Sequence, residues 1–178
     1  MKNRIEIPYI KENSSKKYSL VLSLNKTIAF CNKGKVILRP GLLSFLTMIK
    51  PYYELISFSS EPDDITNMII KEIESKEKIF DYNFGREHCI LYDNILVKDI
   101  SLIGRDIKKI IILDDNAKSF QLNEENGIKI SKFEGNNKTD NALFELKKIL
   151  ILIYKYNYND IRIALREFEN ELKNKISK

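Results

Sequence analysis

Three short apolar segments of strand length constrain this chain more than any other feature. They are Tyr18–Leu24, Tyr53–Ser59 and Lys109–Leu113. Helical patterns follow the first two, and each segment leads directly into small or polar residues. Strands that alternate with helices form a mainly parallel sheet with helices on both faces. The sequence therefore predicts an α/β fold in which any ligand site lies at the carboxyl ends of the strands.

The helical patterns define the elements around those strands. A helix opens at the Arg-Pro-Gly sequence 39–41, because proline suits a first helical turn, and ends at Pro51. A second helix begins within Ser60–Asp64, where polar caps and acidic side chains suit a helix N-terminus. Ile128–Ile130 reads as a fourth, shorter strand, and amphipathic C-terminal helices occupy residues 140–175.

Between residues 79 and 99 the hydrophobic period shortens to two, on both sides of a turn at Asp93-Asn94. This pattern is typical of a small antiparallel β-hairpin inserted into the α/β order. We expect residues 1–17 to form an irregular N-terminal arm and residues 18–175 to form a single domain, as suits a chain of 178 residues.

Composition excludes several classes of protein. The net charge is +5, yet lysines outnumber arginines by 24 to 6 and are interleaved with acids. Nucleic-acid binders concentrate basic residues on one face with aromatic residues between them, so we expect no nucleic-acid partner. No apolar run reaches the roughly 18–20 residues of a membrane span, and the first residues lack the pattern of a secretory signal. His88, Cys31 and Cys89 form neither a zinc nor a disulfide pattern.

Several segments together resemble one known family. The FCP/SCP phosphatases carry similar segments in the same order and spacing as LVLSLNKT, LRPG, YELISFSS, the stretch from Val97 to Phe120 and NGIKI in this chain. These form the NLI-interacting-factor group of the haloacid dehalogenase superfamily. The resemblance spans nearly the whole chain and implies a haloacid-dehalogenase-like fold. In active members an Asp-x-Asp sequence follows the first strand; its first aspartate attacks phosphorus and its second acts as acid and base.

Where that chemistry needs two carboxylates, this chain carries neutral side chains. Ser23 stands at the nucleophile position and Asn25 at the acid/base position, while Thr27 keeps the family's residue. A serine hydroxyl is a poor nucleophile without an activating base. The amide of Asn25 exchanges no proton near neutral pH, which removes acid–base catalysis worth about 10²–10⁴ in rate. We therefore predict a degenerate phosphatase without catalytic activity.

The other family positions are retained. By resemblance, Ser59 and Lys98 hold phosphoryl oxygens and Asp114 binds magnesium, with Asp115 where asparagine is usual. Because Ser23 removes one of two anionic ligands, we expect no dedicated cofactor and at most weak residual magnesium binding at Asp114.

The same positions also have structural interpretations. Ser59 suits a helix cap, Lys98 suits a charged hairpin residue, and the two aspartates suit a turn or an ion pair with Lys98. Two outcomes stay open: a pocket held together by such contacts, and a residual anion or phosphopeptide site on Lys98 and Ser59.

Within the group the chain resembles the Tim-fifty branch, the receptor subunit of the mitochondrial inner-membrane presequence translocase. The resemblance to that branch rests on the sequences FSS at 58–60, EHC at 87–89 and KDIS at 98–101. The resemblance implies a non-enzymatic protein-binding module in the intermembrane space, with presequences and translocase subunits as partners. Contact with the membrane is expected only through partners or a missing anchor.

A receptor for basic presequences offers an acidic or apolar groove. Glu61, Asp63, Asp64 and Asp93 are the candidate contacts. The alternative is a nuclear or cytoplasmic protein, similar to the small CTD phosphatases, that acts on or binds phosphoproteins. The Gly-Arg-Asp sequence at 104–106, which follows the pattern of the active nuclear phosphatases, favours that alternative.

Overall fold

The three apolar segments form neighbouring strands in the computed structural model, which describes residues 8–177. The strands are β1 (Tyr18–Leu22), β2 (Ala29–Asn32), β3 (Lys35–Leu38), β4 (Tyr53–Phe58), β5 (Tyr82–Phe84), β6 (Ile90–Tyr92), β7 (Ile95–Val97), β8 (Ile110–Asp114) and β9 (Gly127–Lys129). The α-helices are α1 (Leu42–Ile49), α2 (Asp63–Ile73), α3 (Ala142–Tyr156), α4 (Ile161–Glu167) and α5 (Glu169–Ile176). Five strands form a parallel sheet in the order β5-β4-β1-β8-β9, which confirms the predicted α/β fold.

The central strand β1 divides the core into two layers. Alternate side chains of a strand point to opposite faces. Leu20 and Leu22 pack on one face with residues of all five α-helices. Val21 packs on the other face, which short 3-10 helices and the segment around Ile10 cover. Helices therefore lie on both faces as expected, with the α-helices on one face and the 3-10 helices on the other.

The predicted hairpin is shorter than its sequence pattern suggests. Only β6 and β7 pair as antiparallel strands, around the Asp93-Asn94 turn, where both residues have positive φ of 48° and 59°. The segment Tyr82–Phe84 instead joins the edge of the main sheet as the parallel strand β5. The assignment of residues 79–89 to the hairpin was therefore wrong, because a short edge strand shows the same period of two as a hairpin strand.

A second hairpin was not predicted. Strands β2 and β3 pair around Lys33-Gly34, both with positive φ. Each strand has only four residues, and the sequence pattern suggested a turn-rich stretch. This hairpin packs on α2.

Helix termini differ in detail from the prediction. The N-cap of α2 is Pro62 and makes no side-chain capping bond, so the expected polar cap was wrong, although Asp63 and Asp64 lie in the first turn. Asp160 caps α4 by accepting from the Arg162 N–H. The predicted final helix is divided at Phe168 into α4 and α5.

The N-terminal arm is fastened to the domain over the part that the structure describes; residues 1–7 lie outside it. Residues 8–17 form neither helix nor strand, as expected. The N–H groups of Tyr9 and Ile10 donate to Leu102 O and Ile103 O, each at 2.9 Å. Gly104 has a φ of 92°, and a Cβ there would lie 2.1 Å from Ile10 O, so only glycine permits this approach.

Among the helices within residues 8–177, none combines the length and the apolar character needed to cross a bilayer.

Candidate functional site

The ends of β1 and β8 bring three family positions together. These strands are parallel neighbours, and Ser23 and Asp114 follow the same face as Val21 and Ile112. Lys98 comes directly after β7 and reaches between them. Its Nζ donates to Ser23 Oγ at 2.8 Å and to Asp114 Oδ2 at 2.5 Å. Lys98 and Asp114 are each only 2% exposed, so this is a buried ion pair, as one of the structural interpretations expected.

Both oxygens of the Asp114 carboxylate are occupied. Oδ2 accepts from Lys98, and Oδ1 accepts from the Asn116 N–H at 2.8 Å. Among residues 8–177, neither a carboxylate nor an imidazole is hydrogen-bonded to Ser23 Oγ. The neighbour of that hydroxyl is an ammonium group held in place by a carboxylate. A cation beside the hydroxyl cannot take its proton, so the arrangement provides no base for Ser23.

Asn25 is fixed by bonds to both ends of its amide. Its Nδ2 donates to Glu61 Oε1 at 2.8 Å, and its Oδ1 accepts from the Cys31 N–H at 3.0 Å. Lys26, with a φ of 66°, turns the chain back after it. The amide therefore ties the end of β1 to β2 and to the segment that leads into α2.

Thr27 and Asp115 form a second contact beside the first. Thr27 Oγ1 donates to Asp115 Oδ1 at 2.8 Å and accepts from the Asp115 N–H at 3.2 Å. Burial raises the pKa of the Asp115 carboxyl; the charge of Asp114 raises it further, and the bond from Thr27 opposes both. Thr27 itself is held by Arg39, whose Nη1 donates to Thr27 O at 2.8 Å.

Ser59 shapes the turn into α2 without being its N-cap. Its Oγ accepts from the Glu61 N–H at 3.1 Å and from Thr66 Oγ1 at 2.8 Å. Ser59 is 2% exposed and lines the pocket described below. The Ser59 and Thr66 hydroxyls can each donate to the other, because Thr66 Oγ1 also lies 3.4 Å from Glu61 O.

These groups surround a polar pocket of about 300 Å³ at the carboxyl ends of the strands, where the fold predicted it. The lining consists of hydroxyl, amide, carboxylate and ammonium groups, from Ser23, Asn25, Lys26, Ser59, Ser60, Glu61, Lys98, Asp114, Asp115, Asn116, Ser119 and Lys132. Lys26, Lys132 and Ser119 were not predicted. Lys26 adjoins the family motif in sequence, but nothing in the sequence distinguishes Lys132 from other surface lysines.

Three of the four acidic residues predicted to contact presequences lie close together in the chain, and the fourth lies on a different element. Glu61 lines the pocket. Asp63 and Asp64 are exposed in the first turn of α2, directly after it. Asp93 is exposed on a different element, at the tip of the β6–β7 hairpin.

The residues present do not fit a magnesium site. Mg²⁺ requires near-octahedral oxygen ligands and is bound through one or two carboxylates. The carboxylate of Asp114 is already paired with Lys98 and the Asn116 N–H, and that of Asp115 is bonded to Thr27. Residues 8–177 contain no group of three or more His, Cys, Asp or Glu side chains that could hold a metal ion.

Arg105, in the Gly-Arg-Asp sequence, lies away from the pocket. Its guanidinium binds the buried carboxylate of Glu54, with Nε donating to Oε2 at 2.8 Å and Nη2 to Oε1 at 2.7 Å. Its Nη1 donates to Glu12 O in the N-terminal arm at 2.8 Å. The role of Arg105 here is to hold the arm on the domain, so it gives no support to phosphate binding.

Comparison with known families assigns the chain to one of them. The model described as NLI interacting factor-like phosphatase matches residues 12–162. The chain belongs to this family. Its relatives include the mitochondrial import inner membrane translocase subunit TIM50 of Candida glabrata, 32% identical over 133 residues, which cover 75% of this chain and 27% of that protein. CTD small phosphatase-like protein 2 of Dictyostelium discoideum is 30% identical, over 88% of this chain and 30% of its own length.

The chain therefore spans about a quarter to a third of the length of these relatives. Among solved structures, Fcp1, an essential RNA polymerase II CTD phosphatase, matches with a TM-score of 0.55 and 19% identity, covering 88% of this chain and 54% of that one. Fission yeast Fcp1 bound to beryllium fluoride matches with a TM-score of 0.53 and 18% identity, covering 89% and 56%. These likenesses confirm the haloacid-dehalogenase-like fold of the NLI interacting factor-like family.

Proposed function

We propose that this NLI interacting factor-like domain is catalytically inactive and serves as a protein-binding module of the mitochondrial import machinery. The proposed inactivity rests on the hydrogen bonding of Ser23. Its hydroxyl accepts from a buried ammonium that Asp114 holds in place, where active relatives need a free carboxylate. Asn25 is tied at both ends of its amide and offers no titrating proton. Without nucleophile and acid/base, the loss in rate is on the order of 10⁶.

Hydrolysis of a chromogenic phosphomonoester with added magnesium tests this inactivity. We expect the wild type to match a Ser23→Ala variant at the background rate. The double variant Ser23→Asp with Asn25→Asp, which restores the family's residues, controls for the rest of the pocket. Turnover by the wild type that disappears in Ser23→Ala would show that the domain is an enzyme.

The second part, import, is supported by the TIM50 relatives and by the acidic start of α2. Asp63 and Asp64 are exposed next to Glu61, and a basic, amphipathic presequence is complementary to such a group. By this proposal the partners are presequences and translocase subunits, and the protein acts at the mitochondrial inner membrane on its intermembrane-space side.

Binding of a synthetic presequence peptide, measured by fluorescence anisotropy at two salt concentrations, tests this assignment. We expect a variant with Asp63→Asn and Asp64→Asn to bind several-fold more weakly, and the difference to shrink at high salt. A matched control, Glu72→Gln, removes an acid from the same helix further along. Equal weakening by both variants, or no binding at all, would contradict the proposal.

A second candidate function, phosphopeptide binding without hydrolysis, is favoured by one observation. The Lys98 ammonium has three donors and uses two, on Ser23 and Asp114, and Lys26 and Lys132 also line the pocket. Replacing two carboxylates by neutral groups lowers the repulsion that an entering phosphate meets. Titration of a phosphoserine peptide against the wild type and Lys98→Met, without magnesium, decides it: equal affinities exclude this function.

A further inference from the structure

Asn25 lies between a group that can only accept a hydrogen bond and a group that can only donate one. Its Nδ2 donates to Glu61 Oε1 at 2.8 Å, and its Oδ1 accepts from the Cys31 N–H at 3.0 Å. A side-chain amide offers both a donor and an acceptor, whereas an ionised carboxylate offers acceptors alone. In Asn25→Asp the carboxylate would keep the bond from Cys31 but would repel the carboxylate of Glu61. The amide at the family's acid/base position therefore permits a contact that an ionised aspartate would break.

This contact holds the segment between β4 and α2 against the end of β1. On its other side the segment is held by Ser59, whose Oγ accepts from the Glu61 N–H at 3.1 Å and is bonded to Thr66 Oγ1 of α2 at 2.8 Å. Pro62, the N-cap of α2, makes no side-chain capping bond. Within residues 8–177, the hydrogen bond from Asn25 to Glu61 is the one that joins this segment to the end of β1.

The bond from Asn25 fixes the Glu61 carboxylate without neutralising it. Within residues 8–177, Glu61 belongs to none of the ion pairs. Three lysines line the same pocket and none is paired with this carboxylate: Lys26, Lys98 and Lys132. Lys98 and Lys132 are bound to other carboxylates. A neutral donor thus sets the position of the Glu61 carboxylate and leaves its negative charge for a basic side chain.

We propose that Asn25 is a positioning residue, which holds Glu61 and the start of α2 in the arrangement that a basic peptide contacts. The peptide in this inference rests on the proposed import function, whereas the positioning does not. The asparagine has two effects at once, because it removes acid–base catalysis and fastens the acidic segment. Asn25→Asp releases the segment, although the charge that it adds would by itself favour a basic peptide.

Amide hydrogen exchange of the whole protein, followed by NMR, separates the two bonds of Asn25. In Asn25→Asp we expect the Glu61 amide to exchange about tenfold faster or more, because the bond that is lost has a charged acceptor. The Cys31 amide should change little, since the carboxylate still accepts from it. A general loss of stability would accelerate both amides alike, so the contrast between them reports on positioning.

A second substitution tests whether the polarity of the pair is what matters. Glu61→Gln added to Asn25→Asp reverses the pair, because the glutamine amide can donate to the carboxylate at position 25. We expect this double variant to return the amide at position 61 to nearly the wild-type rate. The matched control is Asn83→Asp, at an exposed residue outside the pocket whose Oδ1 accepts from Ser57 Oγ at 2.5 Å. A carboxylate keeps that bond, so both amides should be unchanged.

Binding of a synthetic presequence peptide to the same variants is measured at low salt. We expect Asn25→Asp to bind several-fold more weakly than the wild type, against the sign of its added charge, and the double variant to recover. Binding by Asn25→Asp as tight as that of the wild type would overturn the link between positioning and the peptide.

The exchange rates decide the positioning role separately from the import function. Equal acceleration of both amides, no rescue by Glu61→Gln, or an equal effect of Asn83→Asp would overturn the positioning role of Asn25. If the wild type binds no peptide while the amides behave as expected, the import function fails and the positioning role stands.

Discussion

Two buried ion pairs contact the segment that ends β1 and follows it, and they differ in how many of their N–H donors have an acceptor. Arg39 and Asp140 are joined at 2.7 Å, and Lys98 and Asp114 at 2.5 Å. All five N–H donors of Arg39 have acceptors: both Asp140 oxygens, Thr27 O, Ser131 O and Ser131 Oγ. Lys98 has two acceptors for three donors and borders a pocket.

The two pairs therefore have different roles: the Arg39–Asp140 pair supports the structure, whereas the Lys98–Asp114 pair can also take part in binding. Every donor of Arg39 is used, so this side chain can only hold the loop after β1 against the segment around Asp140, although Ser131 and Asp140 also line a cavity at the surface. The Lys98 cluster is open on one side, so water or a ligand can complete it. The presence of the Lys98–Asp114 pair therefore does not indicate catalysis. The unused donor of Lys98, which faces the pocket, indicates that an anion can bind there.

The sharpest test of this comparison is Arg39→Met. We expect a loss of about 3–5 kcal/mol in the free energy of unfolding, because Asp140 and two backbone carbonyls would be left buried without their donor. Urea unfolding followed by circular dichroism measures it. Lys132→Met, at a half-exposed position, is the control and should change stability little. A loss below about 1 kcal/mol for Arg39→Met would show that the cluster is not structural.

Lys98→Met should cost less, about 1–3 kcal/mol, because water in the pocket can solvate Asp114 once the ammonium is gone. The same unfolding experiment measures it, with Ser23→Ala as the milder companion, since that change removes only one acceptor from Lys98. A loss as large as that of Arg39→Met would break the distinction between a closed pair and an open one.

Some residues of these clusters could be predicted from the sequence, and others could not. The order of apolar segments predicted the sheet and put the site at its carboxyl edge, and the Asp-x-Asp positions identified Ser23 and Asn25. A sequence pattern cannot show that Arg39, read as part of a helix start, turns inward to bind Asp140, because that contact joins loops far apart in the chain. The same holds for Glu54 with Arg105, and for β5, whose three residues match the pattern of a hairpin.

A third buried ion pair, Glu54 with Arg105, makes a contribution to stability that depends on pH. Burial alone would raise the pKa of Glu54, but hydrogen bonds from Arg105 and Ser19 and the charge of Arg105 outweigh it and lower the pKa. The pair therefore stabilises the fold fully above the ordinary Glu pKa of about 4.3, and this contribution is lost as the pH falls through the lowered value.

Glu54→Gln should consequently lose stability at pH 7 and approach the wild type as the pH falls towards 3. Thermal unfolding of both proteins across this range measures the difference. A gap that stays constant with pH would mean that the carboxylate charge has no part in holding the N-terminal arm.

Asp115→Asn should give the smallest effect, with the opposite sign. The raised pKa of Asp115 means that the wild type loses stability as the pH rises through that value, whereas the amide does not titrate. The Thr27 hydroxyl can still donate to the amide oxygen. We expect a small gain at pH 7 that vanishes below the ordinary Asp pKa of about 3.9. A variant less stable than the wild type at pH 7 would contradict this.

The position of β1 in the middle of the sheet has a consequence for synthesis of the protein. Among the described strands it is the first to be synthesised, yet Ser19 pairs with Glu54 on one side and with Ile110 on the other. Contacts between residues distant in sequence form slowly, because a long loop must close before they are rewarded. One edge of this buried strand therefore stays unpaired until β8 has been synthesised, and during that interval it is exposed to aggregation.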